Sequence, residues 1–240
     1  MKPSYLLAVL FYFFLNSCNT KTNKNQVELN KSISTRLPTT ITYKKIQSSH
    51  SGITFSNDIK HDFSSKSNLF DYDFFYNGAG VGIVDINNDN LPDIFFIGNQ
   101  VPNRLYLNKG DFQFEDITKT SNINQNKHWS NGVTFADINN DGWMDIYVSQ
   151  GGPYQKDLRN NLLLINQKNN TFKEEANSYG LADIGISTQS AFFDFDKDGD
   201  LDCVVMNEND YYGTDPKQFF TILKDKNKLK ENSSHLYRND

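Results

Sequence analysis

Cysteine is nearly absent: the chain has two, Cys18 and Cys203, in 240 residues. That excludes a disulfide framework as the source of stability. Histidine is almost as sparse, and His50, His61, His128 and His235 show no metal-ligand spacing. There is no Gly-x-Ser-x-Gly elbow and no His-Glu-x-x-His motif, which removes two common hydrolase chemistries. No apolar run is long enough to span a membrane as a helix. Alanine is scarce, no strong amphipathic helix is visible, and Pro216 is expected to interrupt any helix running through it. Positive charge is short as well. With 24 Lys and Arg against 29 Asp and Glu the net charge is −5, and no basic face for nucleic acid emerges. The Lys-rich run at 224–230 reads as a solvated loop.

What the chain does have is a nine-residue pattern of oxygen-bearing side chains, present three times. Positions 1, 3, 5 and 9 are Asp85, Asn87, Asp89 and Asp93, then Asp137, Asn139, Asp141 and Asp145, then Asp194, Asp196, Asp198 and Asp202. Alternate residues of a tight loop can point inward together, so positions 1, 3 and 5 converge on one point. Position 7 (Leu91, Trp143, Asp200) can add its backbone carbonyl, and the carboxylate at position 9 can close the shell. About six protein oxygens with room for a water suit calcium, which takes six to eight oxygens at flexible geometry. Magnesium prefers fewer protein ligands because it dehydrates reluctantly. Position 6 must turn sharply, and Gly142, Gly199 and Asn90 are the residues that tolerate φ > 0.

Two competing readings are weaker. An EF-hand needs Glu at position 12, where this chain has Phe96, Val148 and Val205. The short β-branched and aromatic runs on either side of each loop also read as strands of a hairpin rather than as helices. A metal-free Asp/Asn/Gly turn accounts for one copy. Three copies with the same four oxygen positions, holding eleven of the 29 acidic residues, are mutually repulsive unless a divalent cation relieves them.

The N-terminus has a different logic. Lys2 and the apolar run Tyr5 to Leu15 suit an export signal over residues 1–17. Leu15-Asn16-Ser17-Cys18 resembles a bacterial lipobox. That resemblance implies lipidation of Cys18 and a membrane anchor in the bacterial envelope, with the outer membrane as the expected place. Residues 18–40 are polar and aperiodic and read as a flexible tether. Cys203, in an apolar run, is expected to be a buried small hydrophobe.

The remainder, 41–240, is repetitive. The loops begin at Asp85, Asp137 and Asp194, 52 and 57 residues apart. Asn103 to Asn108 matches Asn161 to Asn166 and Ser234 to Asn239, and Phe114 to Thr118 matches Phe172 to Ala176. Units near 76–123, 129–183 and 187–240 each read as strand, loop, strand, connection, strand, turn, strand. Four antiparallel strands in roughly 50 residues make a β-propeller blade, so the expected fold class is all-β, part of a propeller. Tyr43 to Gln47 looks like a lone last strand that would complete the final blade. The third unit lacks its fourth strand, and propellers need about four to eight blades, so the chain reads as the N-terminal part of a longer protein.

The residues Asn77 to Val81, Trp129 to Val133, Tyr179 to Leu181 and the three loops carry a family resemblance. These units resemble FG-GAP/VCBS repeats, the blades of integrin α-subunit propellers. They are most similar to the secreted proteins related to cartilage acidic protein, which add a C-terminal ASPIC/UnbV domain. The resemblance implies Ca2+ at the loops and a non-catalytic scaffold for binding or adhesion, with a protein or glycan ligand. The alternative is a glycan-directed enzyme or accessory subunit whose active site lies on the propeller face or in a C-terminal part. The connections 151–157 and 207–233 are the expected ligand-facing loops.

Overall fold

The computed structural model describes residues 42–239, apart from 66, 124–128, 154–155, 210, 212–214 and 232. The expected export signal, Cys18 and the tether lie outside these residues. Three antiparallel sheets follow one another along the chain. The first is β1 (Val81–Val84), β2 (Asp93–Phe96), β3 (Arg104–Asn108) and β4 (Phe114–Asp116), paired in that order. The second repeats it with β5 (Ser130–Ala136), β6 (Asp145–Gln150), β7 (Leu162–Asn166) and β8 (Phe172–Glu174). The third has β9 (Ile186–Phe193), β10 (Asp202–Glu208) and β11 (His235–Tyr237). Each nine-residue loop closes the first hairpin of its sheet, with Val84 paired to Asp93, Ala136 to Asp145 and Phe193 to Asp202.

Burial follows position in the stack. Every residue of β6 is buried, because the middle sheet is covered on both faces and needs an unbroken apolar run. Ile146 and Val148 join the core shared with the first sheet, while Tyr147 joins the core shared with the third. In β10 Cys203 and Val205 are buried and Val204 is not, the alternation of a sheet covered on one face.

The first strands of successive sheets lie side by side. A Cβ on Gly82 would come within 2.3 Å of the Phe135 ring, and one on Gly132 within 2.5 Å of the Thr188 carbonyl oxygen. Only glycine permits so close an approach. Thr134 Oγ1 donates to the Ser190 carbonyl at 2.7 Å and Asn131 Nδ2 to the Ser187 carbonyl at 2.8 Å. Four-stranded sheets joined along their first strands are the blades of a β-propeller, and the described residues form two such sheets and a third of three strands.

Two expectations are corrected. Tyr43 to Gln47 forms no strand; Tyr43 is 96% exposed, and the chain turns at once into a short helix, α1 (Ser48–Ser51). Strand-like composition does not make a strand without a sheet edge to pair with. The second concerns the Lys-rich run at 224–230, expected as a solvated loop and mostly helical here; a helix also begins at Pro216, and none runs through it. α2 (Pro216–Ile222) has Asp215 as its N-cap, accepting from the Lys217 N–H at 2.9 Å. Proline is tolerated in the first turn, where no N–H partner is required. α3 (Lys226–Glu231) follows. Among the described residues no helix is long and apolar enough to cross a membrane.

Candidate metal centres

The three loops share one set of internal hydrogen bonds. The position-7 N–H donates to the position-5 carboxylate in each: Leu91 to Asp89 at 2.8 Å, Trp143 to Asp141 at 3.0 Å, Asp200 to Asp198 at 3.0 Å. Asp85 and Asp137 accept from positions 5 and 6, with Asp89 and Asn90 donating in the first loop and Asp141 and Gly142 in the second. Asn87 and Asn139 lean on the same carboxylates, each donating its amide to position 5 at 2.9 and 3.0 Å. These bonds tie position 1 to positions 5 and 6, and position 3 to position 5, in both loops. In the third loop Asp194, Asp196 and Asp198 each place a carboxylate oxygen within 4.8 Å of the others, all exposed.

Two backbone residues per loop take the left-handed conformation. At position 6 these are Asn90 (φ 67), Gly142 (φ 85) and Gly199 (φ 103), as the sequence implies. Position 4 does the same, with Asn88 (φ 57), Asn140 (φ 54) and Lys197 (φ 64). The paired asparagines at position 4 were its sequence signal, since Asn tolerates this region better than other non-glycine residues. Lys197 is the strained member. Lys197→Asn is expected to raise stability by about 0.5 kcal/mol, read as a higher melting temperature. A lower one would mean that the third loop does not need φ > 0 there.

The position-9 carboxylates have a role that spacing alone did not reveal. Asp93, Asp145 and Asp202 are buried, and each bridges its own loop to the end of the third strand of its sheet or, for Asp202, to Asn239 just beyond it. Asp93 accepts from the Ile86 and Asn108 N–H groups at 3.0 and 2.8 Å, and Asp145 from Ile138 and Asn166 at 3.0 and 2.8 Å. Asp202 accepts from Phe195 and Asn239 at 2.9 and 3.0 Å. One lone pair of each oxygen is used in this way, leaving one for a cation. Burial pushes the Asp93 and Asp145 carboxyls above the usual range; their backbone N–H partners oppose this, and the acids at positions 1 and 5 add to it. Asp196 is raised too, by desolvation first and by Asp198 next.

These crowded carboxylates fit a hard divalent cation. Two side chains already supply partial compensation. Lys168 Nζ lies 3.3 Å from Asp141, and Arg238 Nη2 lies 3.0 Å from Asp196. Neighbouring loops also touch, because Asn88 Nδ2 donates to the Gly142 carbonyl at 3.1 Å. Asn166 Nδ2 donates both to Met144 in its own loop and to Ile86 in the preceding one, at 3.1 and 2.8 Å.

Against this geometry, residues 60–148 match the family model described as FG-GAP-like repeat. Residues 60–148 are thus similar to FG-GAP-like repeats. Its relatives include cartilage acidic protein 1 of Xenopus tropicalis, 33% identical over 146 residues, which is 60% of this chain and 22% of that protein. The protein of that name from Mus musculus is 28% identical over 148 residues, 61% of this chain and 22% of its own length. The Homo sapiens one is 34% identical over 79 residues, 32% and 12% respectively. The chain therefore spans about a fifth or less of the curated relatives it matches.

A second polar centre, which the spacing did not announce, ties the third repeat to the second. Buried Asp183 accepts from His235 Nδ1 at 2.5 Å, Tyr237 Oη at 2.7 Å, the Gly185 N–H at 2.8 Å and Asn207 Nδ2 at 3.2 Å. The chain of bonds runs on through Ser187 to Asn161 and the Tyr147 hydroxyl, which donates to the Leu181 carbonyl at 2.8 Å. Here the carboxylate serves as an acceptor for four donors that join blade to blade.

Proposed function

We propose that the chain is a calcium-loaded, non-catalytic binding scaffold held at the bacterial cell surface by a lipid on Cys18. The observation that carries the calcium reading is the third loop, where three carboxylate oxygens lie within 4.8 Å of each other and the Arg238 guanidinium, 3.0 Å from Asp196, offsets them in part. A bound cation supplies cross-linking charge at each hairpin. Asp85, Asn87 and Asp89, with their counterparts at 137, 139 and 141 and at 194, 196 and 198, hold it. The carbonyls of Leu91, Trp143 and Asp200 and the carboxylates of Asp93, Asp145 and Asp202 complete the shell. Asp183 and His235 are engaged in joining blades, which favours a scaffold over an acid–base site.

A ligand surface is supported by the segment ahead of β1. Phe63 and Phe70 are 67% and 80% exposed with their rings stacked 6.3 Å apart. Near them Asp58, Lys60, Asp62 and Gln100 line a groove of about 520 Å³. Exposed rings beside polar side chains suit a sugar or a protein side chain.

Calcium titration of the chelated protein tests the reading. The melting temperature is expected to rise by several degrees with added calcium, since a ligand bound only by the folded state stabilises it by mass action. An unchanged melting curve from zero to millimolar calcium rules the structural ion out. The anchor is tested separately by Cys18→Ser, which is expected to move the protein from the membrane fraction to the soluble one.

A further inference from the structure

β6 is apolar from Ile146 to Val148 and then ends on two polar residues, Ser149 and Gln150. The corresponding positions of the first sheet are Ile97 and Gly98. One shared bond fixes the equivalence: the Gln150 N–H donates to Asn161 Oδ1 at 2.7 Å, as the Gly98 N–H donates to Asn103 Oδ1 at 2.9 Å. In the third sheet the Asn207 N–H donates to Ser234 Oγ at 3.3 Å, which makes Asn207 the counterpart of Gln150. The Asn207 amide is engaged at both ends. Its Nδ2 donates to Asp183 at 3.2 Å, and its Oδ1 accepts from Ser187 Oγ at 2.7 Å. Gly98 has no side chain to satisfy.

Gln150 differs from both. It is 1% exposed, and among the described residues neither atom of its amide has a hydrogen-bond partner. Ser130 stands directly opposite it in the β5–β6 ladder. Ser130 is 1% exposed too, and its Oγ likewise has no partner among the described residues. Asn160 Oδ1 is a third such atom, one residue before the Asn161 that takes the Gln150 N–H. A buried amide that bonds to nothing has lost its hydration with no compensation, and native interiors pair nearly all such groups.

Aromatic rings close the place off. The Trp129 carbonyl accepts the Gly151 N–H at 2.9 Å, and its indole lies against Gly152, where a Cβ would meet it at 2.3 Å. Tyr72 and Phe75 pack on Trp129 with ring centroids 5.4 and 5.5 Å away. All three residues are 2% exposed or less. The second sheet shares a core with the first on one face and with the third on the other, so this burial is complete within the described residues.

The atoms themselves select an occupant. Gln150 offers two N–H donors and one acceptor oxygen, Ser130 a hydroxyl that does either, and Asn160 an acceptor oxygen. None of them carries charge, so neither a metal cation nor an anion finds a counter-charge in the set. What fits is a molecule that donates and accepts and is small enough to lie beneath the rings. Internal waters take about three bonds each from groups of this kind. We propose that Ser130, Gln150 and Asn160 enclose an internal hydration site of about two ordered waters, which bridges the ends of β5 and β6 to the segment ahead of β7. Water does at this joint what the Asn207 amide does at the next by direct bonds.

Two measurements on the whole chain test this. In the wild type the Gln150 side-chain NH2 is expected to show a cross-relaxation peak to water with the sign of a long-lived, bound molecule. Absence of that peak overturns the site. A contact from the NH2 to non-exchangeable protons of a retained small molecule overturns water as the occupant. Gln150→Met, which keeps an unbranched side chain, gives an independent answer through the sign of its effect. With water in place the variant strips it of its main partner, and the melting temperature is expected to fall by about 5 °C. In a dry joint the same change removes an orphaned amide and raises the melting temperature, which also overturns the proposal. Support requires both the peak and the fall.

Discussion

Asp145→Asn is expected to lower the unfolding free energy by about 4 kcal/mol in chelator, with a further loss when calcium is present. The wild-type carboxylate is fully buried and accepts one backbone N–H on each oxygen, from Ile138 in its loop and from Asn166 on β7. An amide keeps one acceptor and turns an NH2 group against the other N–H. A buried donor is then orphaned and a second donor faces it. Asn166 itself reaches to Met144 and Ile86, so the damage spreads to the loop of the preceding blade. Asp141→Asn is the discriminating partner. Asp141 sits at the mouth of the loop, and its loss is expected to change chelated stability by less than about 1 kcal/mol while weakening the calcium response. Urea unfolding of both variants with and without the ion reads the difference. A calcium-dependent loss in Asp145→Asn with none in chelator would show that the carboxylate acts as a ligand and not as a bridge.

The sequence showed where the hairpins are, because the loop pattern and its flanking apolar runs are both local. The middle strand of the second sheet was legible for a similar reason: Ile146-Tyr147-Val148 is unbroken in apolar character, as a strand covered on both faces requires. Roles set by distant partners were not legible. Asp145 looks identical to the other loop acids until Asn166, 21 residues later, is seen to donate to it. Asn103 and Asn161 were readable as landmarks only; their work is to accept the Gly98 and Gln150 N–H groups across the sheet. Gly82 and Gly132 gave no local sign that another blade passes within van der Waals distance. Pro216 was ambiguous on its face, since proline both stops helices and starts them, and the capping carboxylate of Asp215 decides which.

Asp183→Asn is expected to cost about 3 kcal/mol at neutral pH and to carry a pH signature that Asp145→Asn lacks. Burial alone would raise the Asp183 carboxyl. The bonds from His235, Tyr237 and Gly185 outweigh it and hold the group below the usual carboxylate range. A carboxyl whose folded value is depressed contributes stability that is complete above the unfolded value of about 4 and disappears as the pH falls through the lower, folded one. Wild type should therefore lose this increment on acidification, while the variant has none to lose. The gap between their melting temperatures is expected to be widest above the unfolded value and to close as the pH falls through the lower, folded one. Parallel curves across that range would mean that the cluster joining the blades is held by packing around Tyr147 and Leu181 and not by the charge on Asp183.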